Sequence, residues 1–292
     1  LIDIIIFAPP LKVLNKETIK QNWKMKMEFY RPINEVLKRY IEGYYFISPD
    51  ENAERLHYWT FPNNFFIVSV SRDVEIETQQ HKITVRPAQR ENIMANFVSR
   101  YTSPIEVMVE GELNELTIYF KPLAINYFLD NVHELLKQGN ALDFNPFEDF
   151  IPTMKALLQE GDRNLQRQNL EDYWLSKLKP SAAGLMERVI ADIESGMKIG
   201  DIALQNNFSR QYLNRLFTRN VGKSPSEFYR IHRFRKVINQ QKNIRNLTEL
   251  SYESLFYDQS HLIRDFKQLT NVNPYAFFKN VDTSSASIWL FI

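Results

Sequence analysis

The sequence predicts an α+β protein of two domains, an antiparallel β sandwich or barrel in front and an all-α domain behind. Three observations predict it. Between about Leu56 and Lys121 apolar and polar residues alternate with period two, and from Leu123 onward apolar residues recur at helical spacing. A helix, a tight turn and a second helix then occur twice, with Leu213 and Leu262 in equivalent places 49 residues apart.

Residues 1–24 carry Pro9-Pro10 and Asn15-Lys16-Glu17 without a sustained period and are read as a peripheral extension. The β domain is placed at 25–130. Val74–Thr78, Ile105–Glu110 and Leu116–Phe120 alternate as half-buried strands, and Phe65–Val68 reads as a more fully buried one. Asn63-Asn64, Ser71-Arg72-Asp73 and Gly111 punctuate them. Leu123, Tyr127 and Phe128 open a first helix, and 131–180 forms a helical bridge. Its helices carry Ile151, Met154, Leu157 and Leu158, then Leu170, Tyr173, Trp174 and Leu178. The last set is an apolar stripe that either packs on the β domain or pairs with a second copy of the chain. Lys179-Pro180 ends the bridge as a linker, 181–281 is the helical domain, and 282–292 is a tail.

Composition narrows the function. With 44% hydrophobic and 24% charged residues the 292-residue chain is globular, and no run approaches the ~18 apolar residues of a membrane span. The apolar start Ile4–Phe7 is too short for a secretory signal, so a cytoplasmic protein without a membrane partner is the expectation. There is no cysteine, which excludes disulfides, thiolate zinc sites and cysteine nucleophiles. The net charge of +1 conceals an asymmetry: residues 181–292 carry +5 and the rest −4. An anionic partner is implied for the back half alone.

Capping chemistry marks each unit of the repeat. Ser209 and Asp258 are N-cap types before helical patterns, and Ser224-Pro225-Ser226-Glu227 is a capping box with proline first in the helix. Asn246 with Glu249 and then Asn273-Pro274 repeat these signals, and Asn207 suits a turn that needs positive φ. Each second helix is two-faced. Tyr212, Leu213, Leu216 and Phe217 oppose Gln211, Asn214, Arg215 and Thr218; Leu262 and Phe266 oppose Ser260, Ile263, Arg264 and Lys267. Arginine and amide side chains near a helix N-terminus match base edges in a major groove. The candidate DNA contacts are Arg210, Gln211, Asn214 and Arg215, then Gln259, Ser260, Arg264 and Lys267. Arg230, Arg233, Arg235 and Lys236 between the units face either phosphates or solvent.

From Ile202-Ala203 through Leu213–Phe217, Gly222–Pro225, Asp258–His261, Arg264–Lys267 and Pro274, the chain resembles the AraC/XylS family of transcriptional regulators. The resemblance covers about Ala183–Asn280. It implies two helix-turn-helix units joined by a long helix from Pro225 to about Gln241, binding double-stranded DNA in successive major grooves. It also implies a cupin-like front domain for effector binding or oligomerisation. RNA polymerase, a small-molecule effector and a second copy of the chain are the further candidate partners, with no cofactor. The chain departs from the family at Leu255, where glycine is usual before Phe256, at Ser251 and Asn271, and at an extra residue, Tyr257. These departures predict a second unit that binds more weakly.

Other chemistries are poorly supported by the sequence. His57, His81 and His133 lack the spacing of a cupin metal site, and neither a phosphate loop nor a nucleophile elbow is present. Tyr44, Tyr45, Trp59, Phe65 and Phe66 either line an effector pocket or fill a core. The rival reading is an enzyme, a catalytic β barrel fused to a vestigial helix-turn-helix module.

Overall fold

The computed structural model describes residues 27–48, 55–179, 184–240, 247–280 and 290–291. The extension at 1–24, the Pro180 linker, the Asn246 cap and most of the tail lie outside them. Among the described residues nine strands build the front domain: β1 (Met27–Tyr30), β2 (Ile41–Ile47), β3 (Arg55–Thr60), β4 (Phe66–Arg72), β5 (Val74–Gln79), β6 (Lys82–Pro87), β7 (Ile93–Val98), β8 (Ile105–Glu110) and β9 (Asn114–Phe120). With the short pieces β10 (Asn140–Ala141) and β11 (Leu290–Phe291) they form two sheets. One runs β1-β2-β9-β4-β7-β10 and the other β11-β3-β8-β6-β5. Neighbours are antiparallel except β6 and β8, which are parallel.

The sheets face each other, and this changes the meaning of the alternation. In β9, Leu116, Ile118 and Phe120 enter the main core, whereas Tyr119 belongs to the cluster between the sheets. Glu115 and Thr117, on Tyr119's side of the strand, are buried as well. The strand is therefore buried on both faces rather than half-buried. Strand β2 was not legible for the same reason: Ile-Glu-Gly-Tyr-Tyr-Phe-Ile is nearly continuous in apolar character.

Three helices cover the outer face of the first sheet: α1 (Val132–Gln138), α2 (Phe150–Gln159) and α3 (Arg163–Ser176). Residues 124–127 form only a 3-10 turn where the sequence predicts a longer helix. Asp162 caps α3 by accepting from the Asn164 and Leu165 amides. The stripe on α3 is core: Leu170 and Trp174 are 1% and 0% exposed, and the indole lies edge-on to Phe120, Phe128 and Phe150. Of the two fates open to that stripe, packing on the β domain is the one observed. Glu171 fastens the helix from its buried side, accepting from the Tyr44 hydroxyl at 2.6 Å and the Asn34 amide at 2.8 Å.

The back domain contains α4 (Gly184–Glu194), α5 (Ile199–Gln205), α6 (Arg210–Val221), α7 (Pro225–Gln240), α8 (Leu247–Glu253), α9 (Gln259–Thr270) and α10 (Pro274–Asn280). No described helix is long and apolar enough to cross a membrane.

A dense seam joins the domains. The Lys223 ammonium group, 1% exposed, donates to the Ser99 carbonyl, and burial lowers its pKa to about 8. Arg100 grips Glu227 through two bonds of 2.8 and 2.9 Å. Asn64 donates to the Phe228 carbonyl and Asn126 to that of Asn220. Phe61, from the loop after β3, enters the core of the second helical unit against Phe277, 5.0 Å between ring centroids.

Candidate nucleic-acid interface

The first unit is α5, a four-residue turn and α6. Asn207 takes φ +55°, and Phe208 donates its amide to the Ala203 carbonyl at 2.8 Å, closing α5. The Ser209 hydroxyl accepts from the Tyr212 amide and starts α6. Leu213, Phe217 and Val221 are buried on one side of α6. Arg210, Gln211, Asn214, Arg215, Thr218 and Arg219 are all exposed. Tyr212, read from the sequence as packed, is 43% exposed and meets Phe208 edge-on. Arg210 lies over Gly200: a Cβ there would come 2.6 Å from a guanidinium nitrogen. Gly222 (φ +74°) ends α6 with its amide on the Thr218 carbonyl.

The second unit repeats this geometry. Leu255 takes φ +65° in the turn after α8, and Phe256 donates to the Ser251 carbonyl at 2.9 Å. A carboxylate oxygen of Asp258 accepts from the His261 amide at 2.7 Å. Leu262, Phe266 and Leu269 are buried, while Gln259, Ser260, Arg264 and Lys267 are exposed. Ile263, expected on the outer face, is only part-exposed and packs against the unit's core. Asn271 (φ +63°) replaces a C-terminal glycine in the left-handed region.

The joining helix α7 serves a different purpose from the one its arginines imply. Ser224 caps it by accepting from the Glu227 amide at 3.2 Å, but the Glu227 carboxylate turns to Arg100 instead of closing a capping box. Arg233 is buried and bonds Asp265 of α9 at 2.6 Å, its guanidinium stacked near Tyr229 and Phe256. Arg235 donates to the Pro62 and Phe61 carbonyls in the seam, and burial lowers its pKa to about 10. These two arginines brace the domain and are withdrawn from a partner's phosphates. Arg230 donates to Gln268 of α9.

Two faces thus present amide and cationic side chains at the N-terminal ends of well-capped helices, with every predicted contact residue exposed. Helix N-termini are also favourable to phosphate by their dipole. The seam bonds described above, at Ser99, Arg100, Asn64, Asn126 and Arg235, are made by residues other than these eight.

The seam also carries a solvent-open pocket of about 410 Å³. Arg39, Lys121, Phe65 and Asn64 line it from the front domain, Glu194, His232 and Arg235 from the back. The Asn64 Oδ1 atom is buried without a hydrogen-bond partner. Burial raises the pKa of the Glu194 carboxyl and lowers that of the His232 imidazole, the latter with help from Lys236. Of the aromatic residues considered for an effector pocket, Phe65 reaches this cavity. Tyr44, Tyr45 and Phe66 are buried in the cores, and Trp59 packs against the second helical unit's core. Beyond Phe65, the sequence did not mark the site, because its walls come from segments far apart in the chain. The histidines sit apart: His57 pairs with Glu106, His81 meets Ser103, and His133 meets Glu134.

A family profile described as a helix-turn-helix domain matches residues 202–280. The chain is 24% identical over 183 residues to an uncharacterized HTH-type transcriptional regulator, YidL, of Escherichia coli K12, an alignment spanning 60% of this chain and 57% of the relative. A 1.65 Å structure of ToxT from Vibrio cholerae overlaps 79% of this chain and 98% of its own at 14% identity and TM-score 0.41. ToxT with a bound unsaturated fatty acid overlaps 78% and 96% at 13% identity and TM-score 0.40. The profile match falls on the two helix-turn-helix units and the helix that joins them, so the back half of the chain is similar to helix-turn-helix domains of transcriptional regulators.

Proposed function

We propose that this protein is a sequence-specific DNA-binding transcription regulator acting in the cytoplasm, by binding rather than catalysis. The observation that carries this reading is the pair of exposed faces on α6 and α9, each opposite a buried core and each behind a side-chain cap. Arg210, Gln211, Asn214 and Arg215 would read one major groove, and Gln259, Ser260, Arg264 and Lys267 the next, about 34 Å along the duplex. Cationic contacts to phosphates would supply most of the affinity. Selection of bound duplexes from a random pool tests the reading: a defined motif supports it, and recovery of unenriched sequence sinks it.

The seam cavity is the favoured place for a controlling small molecule. Both domains wall it, and Arg235 belongs at once to the cavity and to the bonds that hold the domains together. A ligand there would bias the relation between the domains and hence the spacing of the recognition helices on DNA. Dimerisation and contact with RNA polymerase belong to the same proposal. A thermal-shift screen of metabolites checks the cavity, since a ligand at 100 times its Kd stabilises by about 2.7 kcal/mol. Loss of that shift in Arg235→Met would assign the ligand to the seam.

A further inference from the structure

The two recognition helices differ in how much charge they offer. Helix α6 exposes Arg210, Arg215 and Arg219 and contains no acidic residue. Helix α9 exposes only Arg264 and Lys267, and exposed Glu249 and Glu253 stand on the helix before it. A second unit with this charge is poorly equipped to hold a polyanion by electrostatics alone.

It has something the first unit lacks. Phe208 is followed directly by its N-cap Ser209, whereas Tyr257 stands between Phe256 and the N-cap Asp258. The additional residue leaves the unit undisturbed: Phe256 remains 4% exposed and Asp258 still caps the His261 amide at 2.7 Å. Its side chain is instead delivered outward. Tyr257 is 84% exposed, above Tyr275 at 75% and Tyr252 at 64%. Scattered exposed aromatics are ordinary; position makes this one different. It adjoins the exposed N-terminal residues Gln259 and Ser260, where a recognition helix meets its groove, in the turn that follows the backbone-crossing helix.

We propose that Tyr257 is a further DNA contact of the second unit, its hydroxyl donating to a backbone phosphate beside the groove that α9 enters. Tyrosine is among the side chains that make such contacts. The phenol supplies the second unit with a neutral hold where it has few cations, and so sets its register on the duplex. This contact rests on the DNA-binding reading above.

Charge provides the discriminating test. A neutral donor displaces no counterion, so its loss weakens binding without altering the salt dependence. Loss of a phosphate-bound cation lowers the slope of log K against log salt by about one. Full-length protein and a duplex selected by the wild type are titrated across about 50–200 mM salt. Tyr257→Phe is expected to bind about threefold to tenfold more weakly, the size of one hydrogen bond, with the wild-type slope. Arg215→Ala serves as the control for DNA binding itself. Tyr257→Phe within twofold of wild type, while Arg215→Ala is weakened, would overturn the hydroxyl contact and leave the DNA reading standing. A lowered slope in Tyr257→Phe would overturn it too. A wild type that selects no duplex would remove the DNA reading, and this contact with it.

Discussion

Leu255 repeats the backbone of Asn207, with φ +65° at one and +55° at the other, each in the turn that closes the first helix of its unit. Its side chain also reaches the other unit: a Cβ built on Gly196, between α4 and α5, would lie 3.6 Å from both Leu255 methyl carbons. A residue that the backbone disfavours thus stands with its side chain beside the turn between α4 and α5. Asparagine tolerates the left-handed region; leucine pays about 1–2 kcal/mol to enter it.

This yields an inverted order of substitution. Leu255→Ala keeps the left-handed strain and loses the packing, whereas Leu255→Gly loses the same packing and relieves the strain. Glycine should be the milder change by about 1 kcal/mol, contrary to its usual rank below alanine next to helices. Chemical denaturation followed by circular dichroism measures both. An alanine variant as stable as the glycine variant would show that Leu255 is unstrained.

The recognition helices give a second expectation. A base-reading arginine donating twice to guanine carries about 1–3 kcal/mol of discrimination. Arg215→Ala should lose preference at one operator position while non-specific affinity changes little. The cost of Arg264→Ala should be smaller, since α9 presents fewer cations and leans on neutral contacts. Competitive selection with both variants compares them directly, and a larger effect at Arg264 would reverse the proposed ranking of the units.

The seam makes a third. The Glu227 side chain is 8% exposed and that of Arg100 is 50% exposed. Removing Arg100 takes both guanidinium bonds from a mostly buried carboxylate. Arg100→Ala should cost about 1–3 kcal/mol, and Arg100→Ala with Glu227→Gln should recover part of it by deleting the stranded charge. A double variant equal to the sum of the singles in thermal unfolding would show that the two residues are uncoupled.

What the sequence made legible follows from how local each signal is. Caps and turns are local, so Ser209, Asp258, Asn207 and Asn273 could be placed in advance: each of the three caps accepts a main-chain amide three residues on, and Asn207 carries positive φ. Helix faces are nearly as local, and the exposed sets on α6 and α9 are those the periodicity implies, save for Tyr212 and Ile263. Strand β2 and the inner face of β9 were hidden because burial on both sides erases the polar face that alternation needs. Arg233 and Arg235 were misread for a related reason: a charge on a helix looks solvated until a partner from another element, Asp265 or the Phe61–Pro62 carbonyls, is seen to claim it. Nothing local distinguishes those two cases.

Glu115 gives the last expectation. It lies between the sheets, 9% exposed, with the hydroxyls of Tyr45, Ser71 and Thr117 donating to its carboxylate at 2.9, 2.9 and 3.0 Å. Hydroxyls lower its pKa and burial raises it; burial wins, so the folded-state value stands above the ordinary 4.5. The sign follows from proton binding. Between the unfolded and the folded value the native state holds the proton more tightly than the unfolded chain does. Stability is therefore greatest below the ordinary carboxylate value, falls as pH rises toward the folded value, and then stays reduced. Glu115→Gln removes the buried charge while keeping groups that can bond all three hydroxyls. The variant should melt above wild type at neutral pH, and the gap should shrink as pH falls toward 4.5. Melting both proteins over a pH series measures it. A gap that does not vary with pH would mean that Glu115 is not a buried charge in the folded protein, and a glutamine variant less stable at neutral pH would mean that its hydrogen bonds outweigh its desolvation.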